Sequence, residues 1–463
     1  MAKAKKAAKT DKRKNTAKLK HADRTLGMKV IHPNAAGIDV GNAEHYVAVP
    51  SQLDPEPVRK FGCFTADLRA TAEWLSQIGV TTVALQSTGV YWIPLYEELT
   101  ERGIQVFVVN AQDTKNVPGH KTDVEECQWI LKLHVYGLLR ASFRPSQEIC
   151  ILRTLWRQRQ QHIADAARCT QRMQKALTQM NVQLANVISD IVGVSGQTIL
   201  EAILQGERDP KRLADLCQPG IQSSRETVAK SLEGNWRAEH LFVLEQEFQT
   251  YRHYQRMIAA CDAAMKERFS AMEEKADPQE LPACRRHKRP RGNAVDSFDL
   301  RREQYRVLGV DLTAIDGINV MTAQTILSEI GGDVSAWPTE KHFVSWLNLA
   351  PRNRVSGGRI IGRDQRKTIN RTGEALRLAS NSLRKSDSYL GAQYRRLRGK
   401  LDTARANKAM GAKLARIIYR LLTYGQEYID KGAQYYEQRH QEQKLRNLEK
   451  QAAKLGCKLT KVA

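Results

Sequence analysis

Ala36-Gly37-Ile38-Asp39-Val40-Gly41, with the apolar run His45–Val49 close behind, opens the stretch whose pattern decides the fold. Further runs of strand character follow at Val58–Phe64, Thr81–Leu85 and Gln105–Val109. Between the last three lie two amphipathic segments, Asp67–Gln77 and Tyr91–Arg102, which end near Gly79 and Gly103 and read as helices. Three strands in a row and then β-α-β-α predict a mixed sheet with helices packed on it. That order is the one found in the ribonuclease H-like fold, although pattern alone leaves a different sheet of the same elements open.

Outward from this α/β segment (31–145) the character changes on both sides. Residues 1–30 hold eleven Lys/Arg against two acids, with no apolar period, and read as a disordered basic arm for phosphates. The bland alternative is a solvated tail. Over 146–275 one apolar series, Leu152, Trp156, Ile163, Ala166, Met173 and Leu177, steps by threes and fours with Arg159 and Thr170 interrupting. A second series, Leu241, Leu244, Phe248, Tyr251, Ile258, Met265 and Phe269, has polar gaps at Gln255 and Asp262. Two heptad-like helices about fifty residues apart predict an antiparallel coiled-coil arm, and we read it as pairing two protomers rather than folding on itself. A basic Pro/Gly linker (276–300) leads to a mainly helical C-terminal part (301–425), with a Gly- and Arg-rich loop at 351–373. Residues 426–463 read as a polar, frayed helix.

The chain has 463 residues and a formal charge of +23, and 41% of its residues are hydrophobic. It can therefore build cores, and its charge calls for a polyanionic partner, nucleic acid first. No apolar run approaches the ~18 residues of a spanning helix, and no signal-peptide core follows the basic start. The eight cysteines include no C-x-x-C, which excludes a zinc ribbon and argues against a disulfide scaffold. We expect reduced thiols and a cytoplasmic, nucleoid-associated protein without a membrane partner.

Three places can carry chemistry. Asp39 lies near the end of the first strand, while Asp123 and Glu126, three apart, share one face of a helix opening at Lys121-Thr122-Asp123. Such carboxylates suit a divalent-metal site for phosphoryl transfer, Mg²⁺ or Mn²⁺. The alternative is that Asp123 caps the helix and its acidic neighbours complement the dipole. Gln86 follows the fourth strand, where its amide oxygen can ligate without adding charge, and Ser87/Thr88 can cap the next helix. Ile315-Asp316-Gly317-Ile318-Asn319 resembles a helix-hairpin-helix whose Gly317 offers backbone N–H groups to a phosphate; Ile191-Val192-Gly193-Val194 is a weaker echo. Finally, Ser356 sits among Arg352, Arg354, Arg359, Arg363, Arg366 and Lys367, with Gly357-Gly358 beside it. Clustered cations neutralise a scissile phosphate and stabilise an alkoxide. The bland alternative is a phosphate-holding loop whose serine does nothing.

Taken together, Gly37–Gly41, Gln86–Trp92, Lys121–Trp129, Ile315–Ile330, Leu349–Gly358 and Lys408–Arg416 resemble a known family. They are similar to insertion-sequence transposases of the "one-ten" family, and more closely to its "eleven-eleven" branch. The resemblance covers about 35–145 and 310–420. It implies an N-terminal DEDD, RuvC-like domain and a C-terminal transposase domain with a serine nucleophile, here Ser356. Asp39 would be the first acid and Asp123 the third; the fourth, usually Asp, falls on Glu126, and the second, usually Glu, on Gln86. The site would then hold three carboxylates and one amide. The resemblance further implies a covalent phosphoserine link to DNA, a site completed by a partner protomer in a homodimer or homotetramer, and targeting by a non-coding bridge RNA. The alternatives are a metal-dependent, junction-resolvase-like endonuclease and a non-catalytic nucleic-acid-binding protein.

Overall fold

The computed structural model describes residues 28–87, 89–114, 122–283, 292–363, 369–425, 431–458 and 460. Most of the basic arm, Thr88, Lys121, the Arg-rich centre of the linker and the Arg366/Lys367 pair lie outside the described residues, as does the side chain of Arg363. The chain divides into two compact units, 1–144 and 145–463.

The first unit runs β1 (Ala35–Val40), β2 (Glu44–Ala48), β3 (Val58–Gly62), α1 (Thr65–Gln77), β4 (Thr82–Gln86), α2 (Trp92–Glu101), β5 (Gln105–Val109), α3 (Ala111–Thr114) and α4 (Asp123–Val135). The strands form one sheet in the order β3-β2-β1-β4-β5. β1 pairs antiparallel with β2 and parallel with β4, and β4 is parallel to β5. A mixed sheet of this order is compatible with the ribonuclease H-like arrangement.

β1 is buried along its whole length, so its two faces serve two different layers. Ala36, Ile38 and Val40 join Val83, Leu85, Leu75, Leu95 and Leu99 under α1 and α2. The alternate residues Gly37 and Asp39 face the other side, where Ala84, Val109 and Ile130 pack. A Cβ on Gly37 would stand 2.2 Å from the Leu131 nitrogen and 2.6 Å from the Cys127 carbonyl oxygen. The missing side chain is what lets the α4 backbone lie directly on the central strand. α1 and α2 end where Gly79 and Gly103 take φ of +77° and +75°.

The second unit is mainly helical: α5 (Gln147–Gln179), α6 (Val194–Leu204), α7 (Pro210–Asp215), α8 (Arg225–Ser231), α9 (Ala238–Ala271), α10 (Leu300–Leu308), α11 (Val320–Ile330) and α12 (Glu340–Trp346). A two-stranded ribbon follows, β6 (Asn353–Ser356) and β7 (Arg359–Arg363). Then come α13 (Arg371–Ser382), α14 (Tyr389–Arg398), α15 (Thr403–Tyr424) and α16 (Gly432–Lys454).

The two heptad helices, α5 and α9, pack antiparallel on each other within one chain, one of the two arrangements that the heptad pattern leaves open. Arg172 meets Glu247 near one end and Arg159 meets Asp262 toward the other. Two of the residues that interrupt the seams, Arg159 and Asp262, thus fall at the same level and satisfy each other. The connecting helices α6–α8 close one end, where Met173, Leu177, Leu200, Leu213, Leu232, Leu244 and Phe248 share a core. Near the other end of α5, Arg153 donates to the carbonyls of Ser328 and Glu329, and Arg157 grips the Glu329 carboxylate at 2.8 and 2.6 Å. These bonds satisfy carbonyls in the last turn of α11 and tie it to α5.

A second correction concerns 351–373, expected as a loop. Its first part is the β6–β7 ribbon, turned by Gly357 and Gly358 at φ of +54° and +75°. Gly357-Gly358 between Val355-Ser356 and Arg359-Ile360 is a hairpin signal, because a type I′ turn needs positive φ at both central positions.

Candidate active site

Alternation along β1 and β4 brings two of the expected site residues together. Asp39 and Gln86 lie side by side at the carboxyl ends of parallel neighbours, with Ile38 opposite Leu85 one step earlier. Both are nearly buried, and Gln86 Nε2 donates to Asp39 Oδ1 at 3.2 Å. The amide oxygen of Gln86 accepts from the Thr114 hydroxyl at 2.9 Å. Gln86 therefore presents its donor to the carboxylate, and its oxygen is turned to Thr114.

α4 carries the remaining acids. Its N-cap is Thr122, whose hydroxyl accepts from the Glu125 amide, so the capping role considered for Asp123 falls one residue earlier. Asp123 and Glu126 stand in the first turn, the first exposed and the second half-buried. Burial pushes the Cys127 thiol up to about 12, helped by the negative charges of Asp39 and Asp123, which both lie near it. Trp129 donates to the Thr114 carbonyl at 3.2 Å, linking the helix to the loop after β5. Ser87 does not cap α2; its hydroxyl bonds the Val109 carbonyl at 2.9 Å.

The donor set suits a divalent ion in type, since three carboxylates supply hard oxygens. Among the described residues, however, no three His, Cys, Asp or Glu side chains are gathered closely enough to hold a metal.

In the second unit Ser356 ends β6, opposite Arg359 in register. Every residue from Arg352 to Ile360 is exposed, including Arg354, Val355 and both turn glycines, beside which a Cβ would meet nothing within 4 Å. The ribbon thus holds a hydroxyl and several guanidinium groups clear of the core. Just before it, Leu349 packs against Gly411 of α15, where an added Cβ would stand 3.3 Å from the leucine side chain.

Ile315–Asn319 forms a hairpin turn ahead of α11. Ile318 N–H bonds the Ile315 carbonyl, Asn319 caps α11 through Thr322 N–H, and Gly317 has φ of +92°. A Cβ on Gly317 would press on Leu383 and the Ala379 carbonyl at 3.2 and 3.3 Å, so the glycine also serves packing. The hairpin lines an open cleft of about 1620 Å³ with α5, α10, α11 and α13. The weaker echo is different: Gly193, at φ −71°, is simply the residue before α6.

Two family models match the chain. One, a DEDD transposase model of the IS110 group, matches residues 36–182; the other, described as transposase IS116/IS110/IS902 family, matches 311–394. The chain belongs to the IS110 family of transposases. It is an enzyme acting on DNA, and its DEDD domain points to dependence on a divalent metal. No curated protein matches it. The first match contains Asp39, Gln86, Asp123 and Glu126, and the second contains Gly317 and Ser356. Where the name DEDD spells four acids, this transposase reads Asp, Gln, Asp, Glu at the positions assigned above. No helix among the described residues is long and apolar enough to cross a membrane, and the seven described cysteines are all free thiols.

Proposed function

We propose that this IS110-family transposase cuts and rejoins DNA strands with Ser356 as nucleophile, excising and integrating an insertion sequence. The supporting observation is the exposed β6–β7 ribbon, which sets the Ser356 hydroxyl beside Arg354 and Arg359 on a turn without side-chain bulk. Attack of Oγ on a DNA phosphorus would form the phosphoserine ester while one strand leaves through its oxygen. Arg352, Arg354 and Arg359, with Arg363 and Lys367, would neutralise the phosphate and hold it for in-line attack. The leaving hydroxyl is then free to return, or another strand's hydroxyl takes its place, so that strands exchange without net hydrolysis. A divalent ion, Mg²⁺ or Mn²⁺, held by Asp39, Asp123 and Glu126 would stabilise charge on the attacking and leaving oxygens. Gln86 would orient Asp39. Residues 31–145 would be the RuvC-like domain and 301–425 the serine transposase domain, with Gly317 offering a backbone contact to phosphate. A non-coding guide RNA would choose the DNA, held by the basic arm and linker, whose charge suits both polymers.

The test is expression in bacteria with the native flanking DNA, reading covalent protein–DNA adducts and rejoined element ends. Adducts in wild type that vanish in Ser356→Ala support the serine recombinase. If Ser356→Ala still cuts while Asp123→Ala does not, the protein is a metal-dependent nuclease. Binding without any cutting would mark a decayed site, the reading to which an uncharged Gln86 gives its weight.

A further inference from the structure

The β6–β7 ribbon has two faces, and the serine mechanism uses only one of them. Side chains alternate along a strand, so the register sorts them. Ser356 stands opposite Arg359, and Arg354, two residues back on β6, shares their face. Val355 stands opposite Ile360 on the other face. Beyond that pair the register shifts between Arg354 and Val355, and Ile361 is left without an opposite residue. Val355, Ile360 and Ile361 are 59%, 57% and 68% exposed, so nothing among the described residues packs closely over them. A single exposed apolar side chain is ordinary on any surface. Here three β-branched ones stand together on a two-stranded ribbon, which draws no stability from leaving them in water.

The surrounding charges identify the occupant. From Arg352 to Arg363 the ribbon carries four arginines and no acid, a composition that suits a polyanion. Gly357 and Gly358 turn the tip without side-chain bulk, and a Cβ on either would meet nothing within 4 Å. Such a tip is slim enough to enter between a sugar-phosphate backbone and its bases. A strand rises about 3.3 Å per residue, so the apolar pair lies one such step from the Ser356/Arg359 pair. A phosphate on the hydroxyl face therefore brings its own bases within reach of the apolar face. Proteins that unstack a duplex do so with apolar wedges, isoleucine among them, alongside basic side chains.

We propose that Val355 and Ile360, with Ile361 behind them, form a wedge that holds the DNA bases beside the scissile phosphate unstacked. The wedge rests on Ser356 facing a DNA phosphate, and it supplies what the hydroxyl face cannot. A cut strand still stacked in its duplex rejoins its old partner, whereas an unstacked end is free to change partner. The contact is sequence-tolerant, because every base has a π-face.

The experiment reads unwinding through the linking number of a relaxed, closed circular plasmid carrying the native flanking DNA. The protein is the full chain made together with that DNA, so any adjacent RNA accompanies it, and Ser356→Ala keeps the circle uncut. A topoisomerase relaxes the bound circle, and gel mobility after protein removal gives the turns lost. Ser356→Ala should lower the linking number as it binds. Adding Val355→Thr/Ile360→Thr, which keeps the β-branched shape at exposed positions, should remove at least half of that deficit. Retention of the plasmid on a filter should change less than twofold. Val355→Ile/Ile360→Val, which exchanges the two apolar side chains, should keep the deficit. Pairing by an RNA unwinds the circle equally in all these proteins, so the difference between them belongs to the ribbon. No deficit in Ser356→Ala, or an equal deficit in the threonine variant, overturns the proposal; in the second case the face covers protein rather than DNA. Retention that falls as far as the unwinding also overturns it, since the face would then only anchor, as does loss of the deficit in the Ile/Val exchange. Failure of the serine mechanism is seen separately, as adducts that persist in Ser356→Ala, and the same comparison is then run on Asp123→Ala.

Discussion

Arg159 on α5 and Asp262 on α9 form a two-pronged ion pair, at 2.5 and 3.1 Å, with both side chains buried. The third guanidinium nitrogen, Nη1, donates to the Asn293 carbonyl at 2.9 Å, so one buried cation joins the helix pair to the segment before α10. Removing one partner leaves a charge stranded in low dielectric. Arg159→Ala is therefore expected to cost about 3–5 kcal/mol of stability. Replacing both, as Arg159→Met/Asp262→Leu, should recover most of the loss. Urea denaturation of the two variants checks this, and equal losses would show that the pair is not what is being measured.

The close contact at Gly37 predicts that even one methyl group is too much. Gly37→Ala forces a Cβ into the α4 backbone, which is not the flexible end of a side chain and cannot step aside cheaply. The expected result is loosening of α4 from the sheet, seen as faster limited proteolysis near Asp123–Val135. By contrast Gly358→Ala, where a Cβ meets open space, should cost only the strain of a positive φ, about 1 kcal/mol.

Gln86→Glu should behave differently with and without metal. Without it, a carboxylate replaces the amide that donates to Asp39, setting two negative charges about one hydrogen-bond length apart. The variant is expected to melt lower than wild type in chelator. With Mg²⁺ it should gain more, because the restored charge adds a hard ligand. Calorimetric melting in chelator and in a Mg²⁺ series tests the pair of claims. An equal Mg²⁺ response in the two proteins would remove residue 86 from the metal site.

A pH effect follows from His134 on α4. Its Nε2 pairs with the Thr82 hydroxyl at 3.0 Å, its ring stacks on His32 at 4.7 Å, and its Nδ1 is buried without a hydrogen-bond partner. Burial, with His32 adding to it, lowers its pKa from 6.5 to about 4. His45 on β2 is lowered by burial as well. Between those two values the unfolded chain takes up a proton that the folded chain refuses. Stability is full above about pH 6.5 and falls as pH drops toward 4, with a slope of at most about 1.4 kcal/mol per unit from His134. Denaturation midpoints from pH 7.5 to 4.5 should show the fall, and His134→Gln should flatten it.

The α/β unit was legible because its signals are local. Apolar or β-branched runs such as Ala36–Val40 and Gln105–Val109 mark strands, and Gly79 and Gly103 stop helices through positive φ. Asp39, Gln86, Asp123 and Glu126 were also nameable from the chain, as was Ser356. The ribbon carrying Ser356 reads as a loop from sequence because its arginines mask the Gly-Gly hairpin signal. The role of Gln86 toward Asp39 was hidden, since an amide can turn either its oxygen or its nitrogen to a neighbour and Thr114, 28 residues away, takes up the oxygen.

By itself, then, the sequence determined the strands and main helices of the α/β unit, and it set the basic charge that calls for a nucleic-acid partner. Periodicity, glycine stops and net charge need no knowledge of distant neighbours. Only the tertiary structure decided that Arg159 and Asp262 answer each other within one chain, and that Gly37 admits α4 beside Asp39. Heptads and acids specify what a surface can bind; which surface meets it depends on contacts between residues far apart along the chain.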